Sequence, residues 1–251
     1  MTGVVEAGLW GLVAGAALLA GAAVGFGVRV PQWVIASVMA FGAGVLLSAV
    51  SFELLGEAYE EAGLGPAVVG TLAGAAAYTV GNVVLARRGA RHRKRSGNGP
   101  SQPSESEQQG SGTALALGAL LDGVPESAVI GVGLLQGGAV SMVTVVAVFL
   151  SNIPEGLSSA AGMRAAGRSR RYVFTVWGLI TVVSGVSAVL GYLLLGGAPA
   201  AVVAGVTAVA AGAIVAMIAD TMIPEAFEDA HLAIGLIVVC GFLLSFALSH
   251  A

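Results

Sequence analysis

Three acidic residues lie inside long apolar stretches of the sequence, where a charge needs a partner. Asp122 and Glu126 occur in the run DGVPES, and Glu155 occurs in the run SNIPEG. A spacing of four residues places Asp122 and Glu126 on one face of a helix. A carboxylate at the centre of a membrane costs from about 3 kcal/mol upward unless something neutralises it. Because no Lys or Arg lies in either stretch, we expect these acids to bind a cation.

Each of the two runs also contains a proline, Pro125 or Pro154, directly before the glutamate. Proline lacks an N–H and pushes away the carbonyl four residues earlier, and a freed carbonyl at membrane depth must face protein, water or an ion. Together with Ser151 and Asn152, these carbonyls form a set of oxygen atoms that suits a divalent cation. The alternative is that each proline is a packing kink and each acid a neutral, hydrogen-bonded residue.

Four further acids lie near the ends of apolar stretches. Glu53 and Glu57 lie at the outer end of the second stretch, and Asp220 and Glu225 lie near the end of the seventh. They are candidates for an entrance or exit that attracts cations, and a solvated acidic loop is the alternative.

The composition predicts that lipid surrounds the elements carrying these acids. Charged residues make up 10% of the chain and hydrophobic residues 57%, whereas a soluble domain carries about a quarter charged residues. Windows of about 19 residues predict an all-α integral membrane protein, with one domain over 1–251 and eight transmembrane helices. These are Leu9–Val28, Trp33–Leu55, Pro66–Ala86, Thr113–Gln136, Ala139–Met163, Tyr172–Leu195, Ala200–Ile223 and Leu232–Ser249.

The basic residues predict the orientation of these helices. With eight helices, all eleven Lys and Arg fall in the loops 29–32, 87–112 and 164–171, and short cytoplasmic loops collect such residues. We therefore expect these three loops in the cytoplasm, both termini outside, and a multi-pass protein of the plasma or inner membrane. The loop 87–112 begins as a basic run and continues as a Ser/Gln/Gly/Pro tract, so we expect it to be largely disordered. Its basic run also fits an anionic-lipid or regulatory patch.

A short repeat links the second and seventh predicted helices. GVLLSAVSFELLGEAYE at 44–60 resembles GAIVAMIADTMIPEAFE at 212–228. Because these two helices cross in opposite directions in the eight-helix arrangement, the match suggests an inverted repeat of the kind that builds alternating-access carriers.

The proline motifs resemble those of the ZIP (Zrt/Irt-like) metal transporters, and within that family the bacterial GufA-like branch. The family pattern His-Asn-x-Pro-Glu-Gly is matched by DGVPES at 122–127 and by SNIPEG at 151–156. The eight-helix plan and the long basic loop after the third helix are also similar.

The resemblance implies a 3+2+3 inverted-repeat bundle with a metal site on the fourth and fifth helices. Asp122, Glu126, Ser151 and Glu155 would line its first position, and Asn152 would share a second position with the two glutamates. Both family histidines are replaced here, by Asp122 and Ser151, which favours harder ions such as manganese or iron over zinc.

We therefore expect a carrier of divalent metal ions (zinc, manganese, iron or similar) that works by alternating access, without enzymatic activity or a cofactor. Expected partners are these ions and membrane lipids, with no nucleic acid, and small-residue helix faces are compatible with a homodimer. Two alternatives are an intramembrane hydrolase that uses Asp122 and Asp220 as an acid pair, and a carrier of protons or monovalent cations.

Overall fold

The protein is built from helices that follow the predicted apolar stretches. A computed structural model describes residues 2–94, 102–137, 141–229 and 233–250. Within these ranges it contains helices and no β-strand. In chain order they are α1 (Thr2–Gly27), α2 (Gln32–Ala62), α3 (Leu64–Ala90), α4 (Ser111–Gly137), α5 (Met142–Ala165), α6 (Arg170–Leu195), α7 (Ala200–Met217, continued by Ile218–Met222 and Ile223–Asp229) and α8 (Ile234–Ser249).

The lengths and surfaces of these helices are those of a multi-pass membrane protein. Seven of the described helices are long and apolar enough to cross a membrane, and α8 is a shorter apolar helix of 16 residues. Large aliphatic side chains point outward, including Leu72, Leu194 and Leu236, which are 65%, 75% and 71% exposed. Lipid is the solvent that tolerates such a surface. The prediction of an all-α membrane bundle is thus confirmed at this level.

The helices α2 and α7 both continue beyond their predicted ends, and each contains a π-helical turn near that end. In α2 the turn covers Val50–Leu54, and in α7 it covers Ile218–Met222. We expected α7 to end at Ile223, but it continues through Pro224. Pro224 is the second residue of the α-helical segment that directly follows the π-helical turn.

Close helix contacts follow the internal repeat. A methyl group added at Gly44 of α2 would lie 2.0 Å from the carbonyl oxygen of Val238 in α8. One added at Gly212 of α7 would lie 1.9 Å from the carbonyl oxygen of Thr71 in α3. Gly44 and Gly212 are the first residues of the two repeated segments, and the π-helical turns begin six residues after each. The repeat therefore corresponds to equivalent contacts, of α2 with α8 and of α7 with α3.

The three basic loops meet at one end of the bundle. Arg164, at the end of α5, donates a 2.8 Å hydrogen bond to the carbonyl of Phe26 and a 3.3 Å bond to that of Val28, beside the first basic loop. Arg168 donates a 2.7 Å bond to Glu105 in the loop after α3. The contacts thus agree with the grouping of basic residues that the eight-helix arrangement predicts.

Candidate functional site

The three predicted acids are all buried between helices. Asp122, Glu126 and Glu155 are 1%, 0% and 4% exposed. Asp122 and Glu126 lie on α4 and Glu155 lies on α5, and the helices continue through both prolines. Buried carboxylates of like charge repel one another in a low-dielectric interior. The cluster therefore needs positive charge or protons in order to stay folded.

Positive charge comes from Arg93, in the turn after α3. Its Nε and Nη2 donate hydrogen bonds of 2.9 and 2.8 Å to the two carboxylate oxygens of Asp122. The Tyr78 hydroxyl, on α3, donates a 2.7 Å bond to Asp122 and accepts one of 2.8 Å from Arg93. Nη1 of Arg93 donates to the side-chain oxygen of Asn82, 2.8 Å away. Asp122 and Arg93 thus form a bidentate ion pair.

Lys94 supplies the second positive charge. Its Nζ lies 2.5 Å from a carboxylate oxygen of Glu155 and 3.3 Å from one of Asp122, and the side chain is only 3% exposed. Burial by itself lowers the pKa of Lys94, but Asp122 and Glu155 raise it more, so the net shift is upward and the ammonium stays charged. Lys94 is also the only lysine in the sequence.

The loop after α3 is more structured around these two residues than we expected. Gly89 has a φ of 104°, a conformation that favours glycine, and it turns the chain back toward the bundle. Gln102 donates bonds of 2.9 and 3.1 Å to the carbonyls of Arg93 and Ser159, and the Ser158 hydroxyl donates to the carbonyl of Lys94. We expected 87–112 to be largely disordered, and residues 95–101 lie outside the described ranges. Before this gap Arg93 and Lys94 bind the buried carboxylates, and after it Gln102 binds backbone carbonyls.

The absence of a side chain at Gly118 makes room for Arg93. A methyl group there would lie 2.6 Å from Cδ of Arg93. Gly118 precedes Asp122 by four residues on α4, so it lies on the same helical face. The sequence of α4 therefore provides both the carboxylate and the space for its partner.

Glu126 differs from the other two acids because the described residues offer it no hydrogen-bond donor. Neither of its buried oxygens has a partner there, and the buried side-chain oxygen of Asn152 has none either. Asn152 uses its amide nitrogen to donate a 2.8 Å bond to the carbonyl of Ala14 on α1. The hydroxyl of Ser151 donates a 2.9 Å bond to the carbonyl of Val148. Glu126 and Asn152 thus present unused acceptors beside Glu155.

The cavities that border the cluster in the described part of the chain are small. In the described part of the chain, no three His, Cys, Asp or Glu residues are grouped as they would be around an ion. The cavity bounded by Arg93, Lys94 and Trp177 has a volume of about 10 Å³, and another of about 10 Å³ lies between Lys94 and Glu225. Such a volume holds one water molecule at most. The physical reason is that Lys94 and Arg93 fill the space between the acids.

The structure separates the four predicted entrance or exit acids. Glu53 accepts a 3.1 Å hydrogen bond from Ser141, and Glu57 is half-buried one turn further along α2. Asp220 is exposed on α7. Glu225 borders the narrow cavity beside Lys94, and Asp220 accepts a hydrogen bond from Asn82.

Asp122 and Asp220, the acid pair of the hydrolase alternative, are connected through other side chains. Asn82 donates a 3.5 Å bond to Asp220 and accepts one from Arg93, which in turn holds Asp122. The contacts thus place an amide and a guanidinium between the two carboxylates.

Sequence reasoning missed four residues of the cluster: Tyr78, Asn82, Arg93 and Lys94. A local signal existed for the first two, because a tyrosine and an asparagine four residues apart mark one polar face of an otherwise apolar helix. Arg93 and Lys94 carried no such signal, since they sit in a basic run that the positive-inside rule already explained.

Comparison with known proteins adds no family assignment. No protein-family model matches the chain, and no curated protein matches it either.

Proposed function

We propose that this protein carries divalent metal cations across a membrane, with the buried acids of α4 and α5 as the site. The observation that carries the proposal is Glu126, a fully buried carboxylate to which the described residues donate no hydrogen bond. A buried carboxylate without a donor is expensive. A cation that visits the site would remove that cost.

The donor atoms available to such a cation are oxygens. Glu126 and the side-chain oxygen of Asn152 have unused acceptors, and Glu155, which is paired with Lys94, is the second charged ligand. Asp122 and Ser151 are engaged with Arg93 and Val148, so they would join after a rearrangement. Oxygen ligands of this kind favour manganese or iron, whereas a site with histidine would favour softer ions such as zinc. The resemblance of 122–127 and 151–156 to the ZIP motifs supports the same class of substrate.

The internal repeat supports alternating access as the mechanism. Repeat units that cross the membrane in opposite directions can exchange conformations, which moves a central site from one side to the other. Here α2 and α7 have π-helical turns at equivalent positions and glycine contacts with equivalent partners. We propose the 3+2+3 ZIP-like arrangement on this basis, in the plasma or inner membrane, with the end that carries the basic loops in the cytoplasm.

A carrier of protons or monovalent cations is the second candidate, because the same observation favours it. A proton would also neutralise the unpartnered Glu126.

Uptake into proteoliposomes tests the proposal. Purified protein should take up Mn²⁺, and Glu126→Gln and Glu155→Gln should each reduce the initial rate at least about tenfold, because each removes a charged ligand. Glu60→Gln, a change of an exposed acid on α2, is the matched control and should keep the wild-type rate.

Two outcomes would contradict the proposal. Unchanged Mn²⁺ uptake in both glutamine variants would remove the site. Acidification of the vesicles that depends on Glu126, with no uptake of Mn²⁺, Fe²⁺ or Zn²⁺, would favour the proton carrier.

A further inference from the structure

We propose that Lys94 is a built-in competitor for the transported metal ion: its ammonium occupies the cation position, and the ion enters only when Lys94 leaves. This inference rests on the proposed function and adds regulation to the same site. The loop after α3 would then set how readily the carrier binds its substrate.

The position of the ammonium is the first argument. Nζ of Lys94 lies within 3.3 Å of two carboxylates on different helices, 2.5 Å from Glu155 and 3.3 Å from Asp122. A metal ion bound by Glu155 together with a carboxylate of α4 would share at least the Glu155 oxygen with Lys94. Because Nζ of Lys94 lies 2.5 Å from a Glu155 oxygen, Lys94 and the ion compete for that contact.

The charges lead to the same conclusion. Three carboxylates face two basic side chains, so the cluster carries one negative charge when all five groups are ionised. A divalent ion added to this set would make the buried cluster positive. Departure of Lys94 would return it to neutrality, which is the less costly state in a low-dielectric interior.

Lys94 is better suited than Arg93 to move. Arg93 is held by two hydrogen bonds to Asp122 and by others to Tyr78 and Asn82. Lys94 is a single point charge on a flexible stem, in a turn rather than inside a helix. We infer that Arg93 anchors the turn and that Lys94 is the group that exchanges with the ion.

Chemical labelling of Lys94 tests the exchange without measuring transport. Because the chain has one lysine, its amine targets for a water-soluble acylating reagent are Lys94 and the N-terminal amine, and mass spectrometry separates the two. Lys94 should react slowly in the purified protein and at least about tenfold faster in saturating Mn²⁺, with the N-terminal amine as internal reference. Glu126→Gln should abolish the effect of Mn²⁺. Equal labelling with and without Mn²⁺ would overturn the inference.

Transport provides the second test. If the competent state is populated to about 10% or less, removal of the competitor should lower the apparent KM for Mn²⁺ at least about tenfold. Lys94→Met should show this change and Lys94→Arg should not. Arg91→Met is the matched control, because it removes an exposed positive charge from the same turn.

A second variant, which keeps both Arg93 and Lys94, serves in case Lys94→Met does not fold. Gly118→Leu fills the space of the Arg93 side chain and should displace the turn, so the apparent KM should fall as in Lys94→Met. If wild-type uptake depends on Glu126 but neither variant changes the KM, the competitor role is wrong and the carrier remains. If no uptake depends on Glu126, the carrier itself is wrong.

Discussion

At the scale of single residues, the main feature is the charge balance among five buried side chains, which are Asp122, Glu126, Glu155, Arg93 and Lys94. Arg93 and Asp122 form a pair that is 3% and 1% exposed. Removal of one partner from such a pair leaves an uncompensated charge in a low-dielectric interior. The pair of Arg168 with Glu105 differs, since the Glu105 side chain is 52% exposed. Arg168 and the N–H groups of Gly110 and Gly112 lower the pKa of Glu105 to about 2, and water screens what this adds to stability.

A double-mutant cycle measures the interaction energy between Arg93 and Asp122. Asp122→Asn should lower the free energy of unfolding in detergent by about 3 kcal/mol or more, because Arg93 loses the buried carboxylate that accepts two of its hydrogen bonds. Arg93→Met should also destabilise, and the double variant should lose less than the two single changes together, since contacting residues couple by about 0.5–3 kcal/mol. Arg91→Met is the control and should change little. Additive losses would show that the two side chains do not interact.

At the scale of helices, glycine at the crossing points sets how closely the backbones approach. In a membrane, apolar surface no longer drives association, so close backbone contact takes over that role. Gly212 meets the carbonyl of Thr71, and Gly44 meets that of Val238. Both copies of the repeat thus have a glycine where two helices touch and a π-helical turn after it.

Two glycine-to-alanine substitutions on α7 distinguish the effect of a close backbone contact on stability from the effect of helix propensity. Gly212→Ala should lower the free energy of unfolding by about 1–3 kcal/mol or more, because its methyl group would lie 1.9 Å from the carbonyl oxygen of Thr71. Gly205→Ala should be neutral or stabilise by up to about 1 kcal/mol, since nothing lies within 4 Å of its added methyl group and alanine favours a helix. Chemical unfolding in detergent compares the two. Equal effects would contradict the contact.

At the scale of the whole molecule, the basic loops define one end of the bundle and predict its orientation. We expect Arg29→Cys and Arg171→Cys, both at that end, to react with a membrane-impermeant maleimide only after cells are permeabilised. Glu61→Cys and Ala200→Cys, at the opposite end, should react in intact cells. All four positions are exposed. A Cys240→Ala background removes the only native cysteine, and the reverse labelling pattern would place the basic loops outside.

The sequence by itself determined that lipid surrounds the helices, where the helices run and where the acids lie within them. Apolar stretches of about 20 residues can only be satisfied as helices in lipid, because each backbone group bonds within its own segment. The positions of Asp122, Glu126 and Glu155 within these stretches, and their burial, follow from the same local pattern. The repeat of 44–60 and 212–228 marked in advance the two helices that have equivalent π-helical turns.

Only the tertiary structure decided which cation neutralises the acids. The sequence left a charge imbalance inside α4 and α5, and we assigned its compensation to a foreign ion. The fold brings in Arg93 and Lys94, which lie 29 residues before Asp122 and 61 residues before Glu155. Hydrophobic periodicity reports only neighbours along a helix, whereas this pairing depends on a turn at Gly89 and on the space beside Gly118. Contacts between distant segments are set by how the helices pack, and no local pattern records that packing.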